Sequence, residues 1–232
     1  AETLPITIQL NVLSLLIAYL VSIPLGVYSA THPRTFTDNA LTLGLFLLYS
    51  LPSFWVAMLL IYFLGGGAWW DVFPIYGISA DGVAELGWWR WMTDRAWHLV
   101  LPVFCLTYAS FAGLSRYMRS GLIEEVRKDY VRTARAYGFS ERTVIYRYTL
   151  RNSLIPIVTL LGTLLPALLG GSVIIESIFS IPGMGKLSFE AITSRDYPLI
   201  MGILSIDALL TLVGLILSDI LYAVVDPRIK FE

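Results

Sequence analysis

Hydrophobic residues along the chain gather into five long runs, Ile8–Ala30, Leu41–Leu64, Leu99–Met118, Ile155–Phe179 and Leu199–Val225. Each is close to or longer than the roughly 20 residues that carry an α-helix across the hydrocarbon core of a bilayer. The pattern predicts an all-α, polytopic membrane protein with about five transmembrane helices. Every run holds Gly or Pro in its interior, among them Pro24, Gly26, Pro52, Pro102, Pro166, Gly170, Gly171 and Gly214. Membrane helices tolerate these residues because neighbouring helices satisfy the freed backbone groups and small side chains allow close approach.

The connections differ in character. Thr31–Ala40 is short and polar, Gly65–Trp97 is rich in Gly and Trp, Arg119–Asn152 is long and basic, Ser180–Pro198 is mixed, and Asp226–Glu232 is a short tail. Twelve of the sixteen Lys and Arg fall in or beside the first, third and fifth of these, and the positive-inside rule places that side in the cytoplasm. The amino terminus is then expected outside and the carboxyl terminus inside. Six of the seven tryptophans lie in or next to Gly65–Trp97, as an aromatic belt at the outer interface requires.

Composition agrees with lipid as the main solvent. Of 232 residues, 56% are hydrophobic and 14% charged, against about 25% charged in soluble domains. The formal net charge of −1 offers no basic field for nucleic acid. The single cysteine, Cys105, lies in an apolar run, where it reads as a small buried hydrophobe and has no partner for an internal disulfide. His32 and His98 are far apart, without metal-ligand spacing, and no serine has an adjacent base. No catalytic, metal or cofactor site is expected in this chain. Ala1–Thr7 lacks a positive flank, so the natural chain is expected to begin upstream.

The most informative stretch is Arg119–Asn152, too long for a simple link. It reads as a helix over Leu122–Tyr137, a break at Gly138, and a second helix over Ser140–Asn152 with Ser140 as its N-cap. Glu124, Glu125, Asp129 and Glu141 stand among its arginines; a surface serving anionic lipid alone would be more uniformly basic, so a protein partner is favoured.

The run from Asp129 through Tyr-Val-Arg-Thr-Ala-Arg-Ala-Tyr to Gly138 and on to Arg142, followed by Leu150-Arg-Asn-Ser-Leu-Ile-Pro156, closely resembles the cytoplasmic EAA loop of ABC-importer permeases in its oligopeptide, dipeptide and nickel form. The resemblance continues through Glu176-Ser-Ile-Phe-Ser-Ile-Pro-Gly-Met-Gly-Lys-Leu187, Arg195-Asp-Tyr-Pro198 and Leu221-Tyr-Ala-Val-Val-Asp-Pro-Arg-Ile229. Ile23-Pro-Leu-Gly26 and Leu51-Pro-Ser-Phe-Trp55 share it. Arg132 and Thr133 replace the Glu and first Ala of the general motif, and Leu150–Arg151 its closing Leu-Pro, as in the peptide branch.

The resemblance implies a type I ABC importer permease fold with a cytoplasmic coupling-helix loop, of which members usually carry one more helix at the amino terminus. It implies docking on a cytoplasmic ATPase through Tyr130, Arg132, Ala134, Arg135, Gly138, Ser140 and Glu141. Expected partners are a paralogous permease, two ATPase subunits and an extracytoplasmic substrate-binding protein, within a bacterial cytoplasmic membrane. The chain holds no G-x-x-x-x-G-K-[ST] sequence, so ATP is expected to be used by the partner subunits only. The cargo is expected to be peptides, with nickel, glutathione or oligosaccharide as alternatives within the branch. A membrane scaffold and a secondary transporter are rivals of other classes, the latter disfavoured because no internal repeat is visible.

Charges inside membrane spans are candidates for function. Glu176, near the outer end of the fourth run, reads either as part of an outer gate or as a helix-end carboxylate bonded to backbone. Asp207, in the middle of the last run, is expected to face a partner helix or a wet pathway, where it would meet the ammonium of a peptide. Asp219 lies near the inner end of the same run, within reach of water or an inner arginine, and is read as packing.

Overall fold

The computed structural model describes residues 2–65, 69–164 and 171–225; the tail Asp226–Glu232 lies outside the described residues. Every regular element among them is helical, as expected where lipid offers the backbone no hydrogen-bond partners. In chain order the helices are α1 (Thr3–Thr31), α2 (Phe36–Ser50), α3 (Ser53–Leu60), α4 (Trp88–Glu125), α5 (Asp129–Ala136), α6 (Glu141–Thr143), α7 (Leu150–Ser153), α8 (Ile155–Leu164), α9 (Val173–Ile178), α10 (Met184–Ser194) and α11 (Tyr197–Val225). π-helical turns extend α3 over Ile61–Gly65 and join α6 to α7 over Val144–Thr149.

Helices α1, α4 and α11 are each long and apolar enough to cross a membrane, and α2 with α3 forms a fourth candidate span that is broken in the middle. The break falls at Leu51–Pro52, inside the expected Leu41–Leu64 helix. Proline has no N–H to donate and drives the preceding residue out of helical geometry, and Pro52 is extended (φ −64, ψ 137). The third expected span, Leu99–Met118, is part of a longer helix that begins at Trp88, because a polar and aromatic first stretch is helical without being membrane-apolar. The fourth, Ile155–Phe179, is not one continuous helix. Residues 165–170 lie outside the described residues, and Gly171 and Ser172 are non-helical, with Ser172 capping α9 by accepting from the Ile175 N–H at 3.4 Å.

The chain forms two compact units, each drawn from three stretches of sequence. The first comprises Ala1–Ile17, Ser50–Ala109 and Pro166–Leu212. In it the Tyr108 phenol, 1% exposed, donates to the Leu51 carbonyl at 2.5 Å, which satisfies a group stranded by the Pro52 break. Trp97 stacks on Phe73 and donates its indole N–H to the Val72 carbonyl at 2.9 Å, pinning the Trp-rich connection to α4. Met184, Ala191 and Ile203 form a buried cluster with Leu4 and Leu187 packed against it.

The second unit comprises Ala18–Tyr49, Ser110–Leu165 and Val213–Glu232. Here α1 and α4 cross at Gly26. A Cβ at that position would lie 2.5 Å from the Met118 Cβ and 2.6 Å from the Ser115 carbonyl oxygen, both held close to the backbone. Small residues at such crossings let membrane helices gain dispersion contact where lipid supplies no hydrophobic drive. Tyr19 reaches the Ile157 carbonyl at 3.3 Å, tying α1 to α8.

The tight crossing predicts that Gly26→Ala destabilises the protein by about 1–3 kcal/mol through overpacking, seen as a lower thermal midpoint in detergent. Gly44→Ala is the control, since nothing lies within 4 Å of a Cβ there, and it should be neutral or slightly stabilising. Equal midpoints for the two variants would contradict the close crossing.

Candidate functional site

The basic loop folds into a small hairpin with a core of its own, within the second unit. The expected Leu122–Tyr137 helix is divided: α4 ends at Glu125, residues 126–128 turn, and α5 starts at Asp129. The turn is held by the Glu125 carboxylate, 8% exposed, which accepts from Lys128 Nζ at 2.5 Å and from the Tyr130 phenol at 2.7 Å. Tyr130 in turn accepts from Asn152 Nδ2 at 3.0 Å, so the start of α5 is bonded both to the end of α4 and to α7. The hydrogen bond to Glu125 raises the Lys128 pKa above the ordinary lysine value; burial first, and then the Glu125 bond, raises that of Tyr130.

Helix α5 is amphipathic. Val131 and Ala134 turn inward onto Val144, with Tyr130 and Tyr148 against them. The helix closes in a Schellman motif: Gly138 takes φ +79, its N–H bonds the Arg135 carbonyl at 2.9 Å, and the Phe139 N–H bonds the Ala134 carbonyl at 3.4 Å. Glycine enters that region without the penalty a Cβ brings. Ser140 is the N-cap of α6, accepting from the Thr143 N–H at 3.4 Å. Arg135 and Glu141 pair across the turn, with Nε to Oε1 at 2.8 Å, an exposed pair worth at most about 1 kcal/mol.

The sequence-predicted residues thus divide by role. Tyr130 and Ala134 face the hairpin interior, Gly138 and Ser140 set the backbone, and Arg135 and Glu141 clasp the turn. Arg132 is exposed and 3.4 Å from Asp129. What is exposed at the tip is Tyr137, 79% exposed, and Phe139, 45% exposed and resting with one side on the Tyr148 ring, on either side of Gly138. The sequence reading passed over both, although two aromatics flanking a glycine in a polar loop were the available signal. It also passed over Asp38, 1% exposed, which accepts from the Ser29 hydroxyl, from the Arg34 N–H at 2.9 Å and from Arg119 at 2.9 Å.

Glu176 belongs to the first unit and is 2% exposed. Its carboxylate accepts from the Lys186 N–H at 2.9 Å, in the first turn of α10, and from the Thr7 hydroxyl at 3.2 Å; Thr7 in turn accepts from the Met184 N–H at 2.8 Å. A carboxylate at a helix amino terminus satisfies orphan N–H groups and meets the positive end of the helix dipole. A Cβ at Gly183 would lie 2.4 Å from the carboxyl carbon, and one at Gly171 would lie 2.2 Å from the Gly185 nitrogen. The run from Glu176 to Lys186 is thereby read as one construction, a carboxylate folded back onto the helix that follows it. Asp207 sits in α11, half-buried, and its Oδ1 is buried without a hydrogen-bond partner among the described residues. No hydrogen bond among the described residues joins Asp207 to Glu176.

Residues 22–231 match the family described as the binding-protein-dependent transport system inner membrane component. The chain belongs to that family. It is 42% identical over 98% of its length to the oligopeptide transport system permease AppB of Bacillus subtilis, covering 70% of that protein. It is 40% identical over its whole length to the inner membrane ABC transporter permease YejB of Escherichia coli O157:H7, covering 64%. With the dipeptide permease DppB of Lactococcus lactis it shares 35% identity over 99% of the chain and 70% of that protein. The chain thus spans about two thirds of the length of these relatives. In fold it is similar to a membrane chain of the MetNI methionine ABC transporter, with a TM-score of 0.70 at 14% identity, covering 97% of this chain and 95% of that one. A second likeness, to an amino acid ABC transporter, has a TM-score of 0.64 at 16% identity over 95% of this chain and 91% of that one. This permease is accordingly a multi-pass, non-catalytic membrane subunit of an ABC importer, with the all-α fold expected from its apolar runs.

The bonding around Glu176 predicts a positioning role. Glu176→Gln keeps the size but loses one acceptor, leaving a buried N–H or hydroxyl unsatisfied at a cost of about 1–3 kcal/mol. The expected result is a lower thermal midpoint and a proportionate loss of transport for every substrate tested. A variant of unchanged stability whose transport falls for some substrates only would assign Glu176 to the pathway instead.

Proposed function

We propose that the chain forms half of the translocation pathway for peptides and couples it to cytoplasmic ATPases through the hairpin α5–α7. The observation that carries this reading is the hairpin tip: two exposed aromatic rings on a glycine-built turn, mounted on a buried core and bonded back to α4. Exposed aromatics on a preformed support are what a partner groove engages with least ordering cost. Closure of the ATPases on ATP would move the hairpin as a rigid body and so drive the helices joined to it. Arg132, Arg135 and Glu141 then set the charge pattern around the tip, while Tyr130, Ala134, Gly138 and Ser140 hold its shape.

The assembly on this reading contains a paralogous permease, two ATPase subunits that consume the ATP, and an extracytoplasmic substrate-binding protein, in the bacterial inner membrane. Relatives named for oligopeptide and dipeptide transport support peptides as the cargo. Asp207 supplies the matching chemistry, a carboxylate in a membrane helix with an unsatisfied oxygen, suited to a peptide ammonium.

Two measurements bear on these assignments. Gly138→Val meets open space but forces a β-branched residue to positive φ. Substrate-stimulated ATPase activity of the complex should fall more than about tenfold, equivalent to 1.4 kcal/mol of coupling, and Tyr137→Ala with Phe139→Ala should do the same without backbone strain. Wild-type stimulation in both variants would defeat the docking role of the tip. For Asp207→Asn, uptake of peptides with a free amino terminus should drop while amino-blocked peptides are carried as before. Equal loss for both kinds with normal complex yield removes the charge-reading role, and reduced yield points to an ion pair with the partner permease.

A further inference from the structure

The inner end of the second unit holds a groove of about 640 Å³ that runs beside the hairpin and shares Arg135 and Glu141 with its turn. Four guanidinium-bearing residues, Arg34, Arg119, Arg127 and Arg135, line it, and Leu122, Ile123 and Ile145 supply an apolar floor. Its charges are unequally matched. Arg119 is paired with Asp38 and Arg135 with Glu141, whereas Arg34 and Arg127 have no ion pair among the described residues. Arg34 is also held at φ +63, in the left-handed region that non-glycine residues seldom adopt, with its N–H fixed by Asp38. Strained backbone of this kind persists where the surroundings over-determine it, and it concentrates at binding sites.

A second cavity adjoins the first through Arg119, which lines both. It is narrow, about 60 Å³; Leu25, Leu41, Leu45 and Phe46, on helices that precede or follow the short loop bearing Arg34, give it an apolar side, and Arg116 lies over the Phe46 ring at 4.8 Å. An arginine-lined groove continuing into an apolar cleft has the two-part chemistry of a phospholipid: guanidinium forks for a phosphodiester and hydrocarbon walls for the start of an acyl chain. Two uncompensated cations match the charge of a headgroup bearing one or two phosphodiesters.

We propose that this groove binds an anionic phospholipid of the inner leaflet, with Arg34 and Arg127 on the phosphate. The mixed charges of the linear sequence argue against lipid for the loop as a whole, but in the fold Glu124 and Asp129 do not line the groove; Glu141 does, paired with Arg135, and the other charged lining residues are Arg34, Arg119 and Arg127. The groove is lined by the end of α1, by α4 and by the hairpin residues Arg135, Glu141 and Ile145, so an occupant would bridge these elements and headgroup charge would bear on coupling. The placement rests on the cytoplasmic side assigned to the loop. That assignment fails separately, if a cysteine at Ser140 in a background lacking Cys105 reacts with an impermeant thiol reagent in intact cells.

The test uses the full transporter with its partner subunits in detergent, titrated with phosphatidylglycerol against phosphatidylcholine and followed by native mass spectrometry. Phosphatidylglycerol should be retained in preference, and R34Q/R127Q should weaken its retention about tenfold or more, the direction expected for loss of two cations that face anionic lipid. R142Q/R147Q removes the same charge from exposed positions of the same loop outside the groove and should leave retention unchanged. Should R34Q/R127Q not assemble, R34K/R127K keeps the charge without the fork, and reduced retention is expected. The proposal is overturned by wild-type retention in either groove variant or by equal loss in both glutamine pairs. It is likewise overturned if glycerol phosphate displaces the lipid at equal concentration, which would mark a site for soluble phosphate. Loss of ATPase subunits from R34Q/R127Q with lipid retention intact would overturn it in favour of a protein-docking surface.

Discussion

A peptide group within hydrocarbon has no water to bond, so every interruption of a helix there must bring its own hydrogen-bond partner. Much of the chain can be understood as the answer to that constraint. Where Pro52 stops α2, Tyr108 delivers a phenol to the stranded Leu51 carbonyl. Where the chain leaves Gly171, Ser172 caps the next helix, and Glu176 folds back onto the first turn of α10. The glycines of the Glu176–Lys186 run follow from the same need, because a carboxylate can reach the amides of a neighbouring turn only if no Cβ stands between them.

The second unit shows a different balance. At the α1–α4 crossing the gain comes from close contact rather than from hydrogen bonds, and Gly26 makes it possible. Outside the apolar segments water is again available, and side chains take over as organisers: Glu125, Lys128, Tyr130 and Asn152 form a continuous bonded path from the end of α4 to α7. The hairpin therefore has a fixed base and a fixed turn, with its core of Val131, Ala134 and Val144 between them. On the coupling reading proposed above, attachment of this kind would carry a displacement at the tip to the membrane helices.

The existence and type of the long helices were legible in the sequence, because twenty-residue apolar runs have few alternatives. Gly138 and Ser140 were legible too, since a glycine followed by a capping residue inside a helix-forming polar stretch has a local meaning. The breaks at Leu51–Pro52 and Gly171–Ser172 were harder, because whether a proline or glycine kinks a helix or ends it depends on partners distant in sequence, here Tyr108 and Gly185. Asp38 was hidden for a related reason, as nothing in a ten-residue polar loop signals that one carboxylate will be enclosed by Ser29, Arg34 and Arg119. Tyr137 and Phe139 were overlooked because aromatic residues are expected inside, and only the three-dimensional turn at Gly138 directs them outward.

That outward direction has a bearing on how the transporter would perform as its host's surroundings change. Bacterial cytoplasm swings widely in ion content with external osmolarity, and attraction between exposed charges weakens as the Debye length shrinks. Contact made by aromatic rings is not screened in this way. On the docking reading proposed above, a tip that presents Tyr137 and Phe139 beside its exposed arginines would lose less of its grip on the motor during an osmotic upshift than one built of charges alone, when nutrient uptake and solute balance are under the greatest demand.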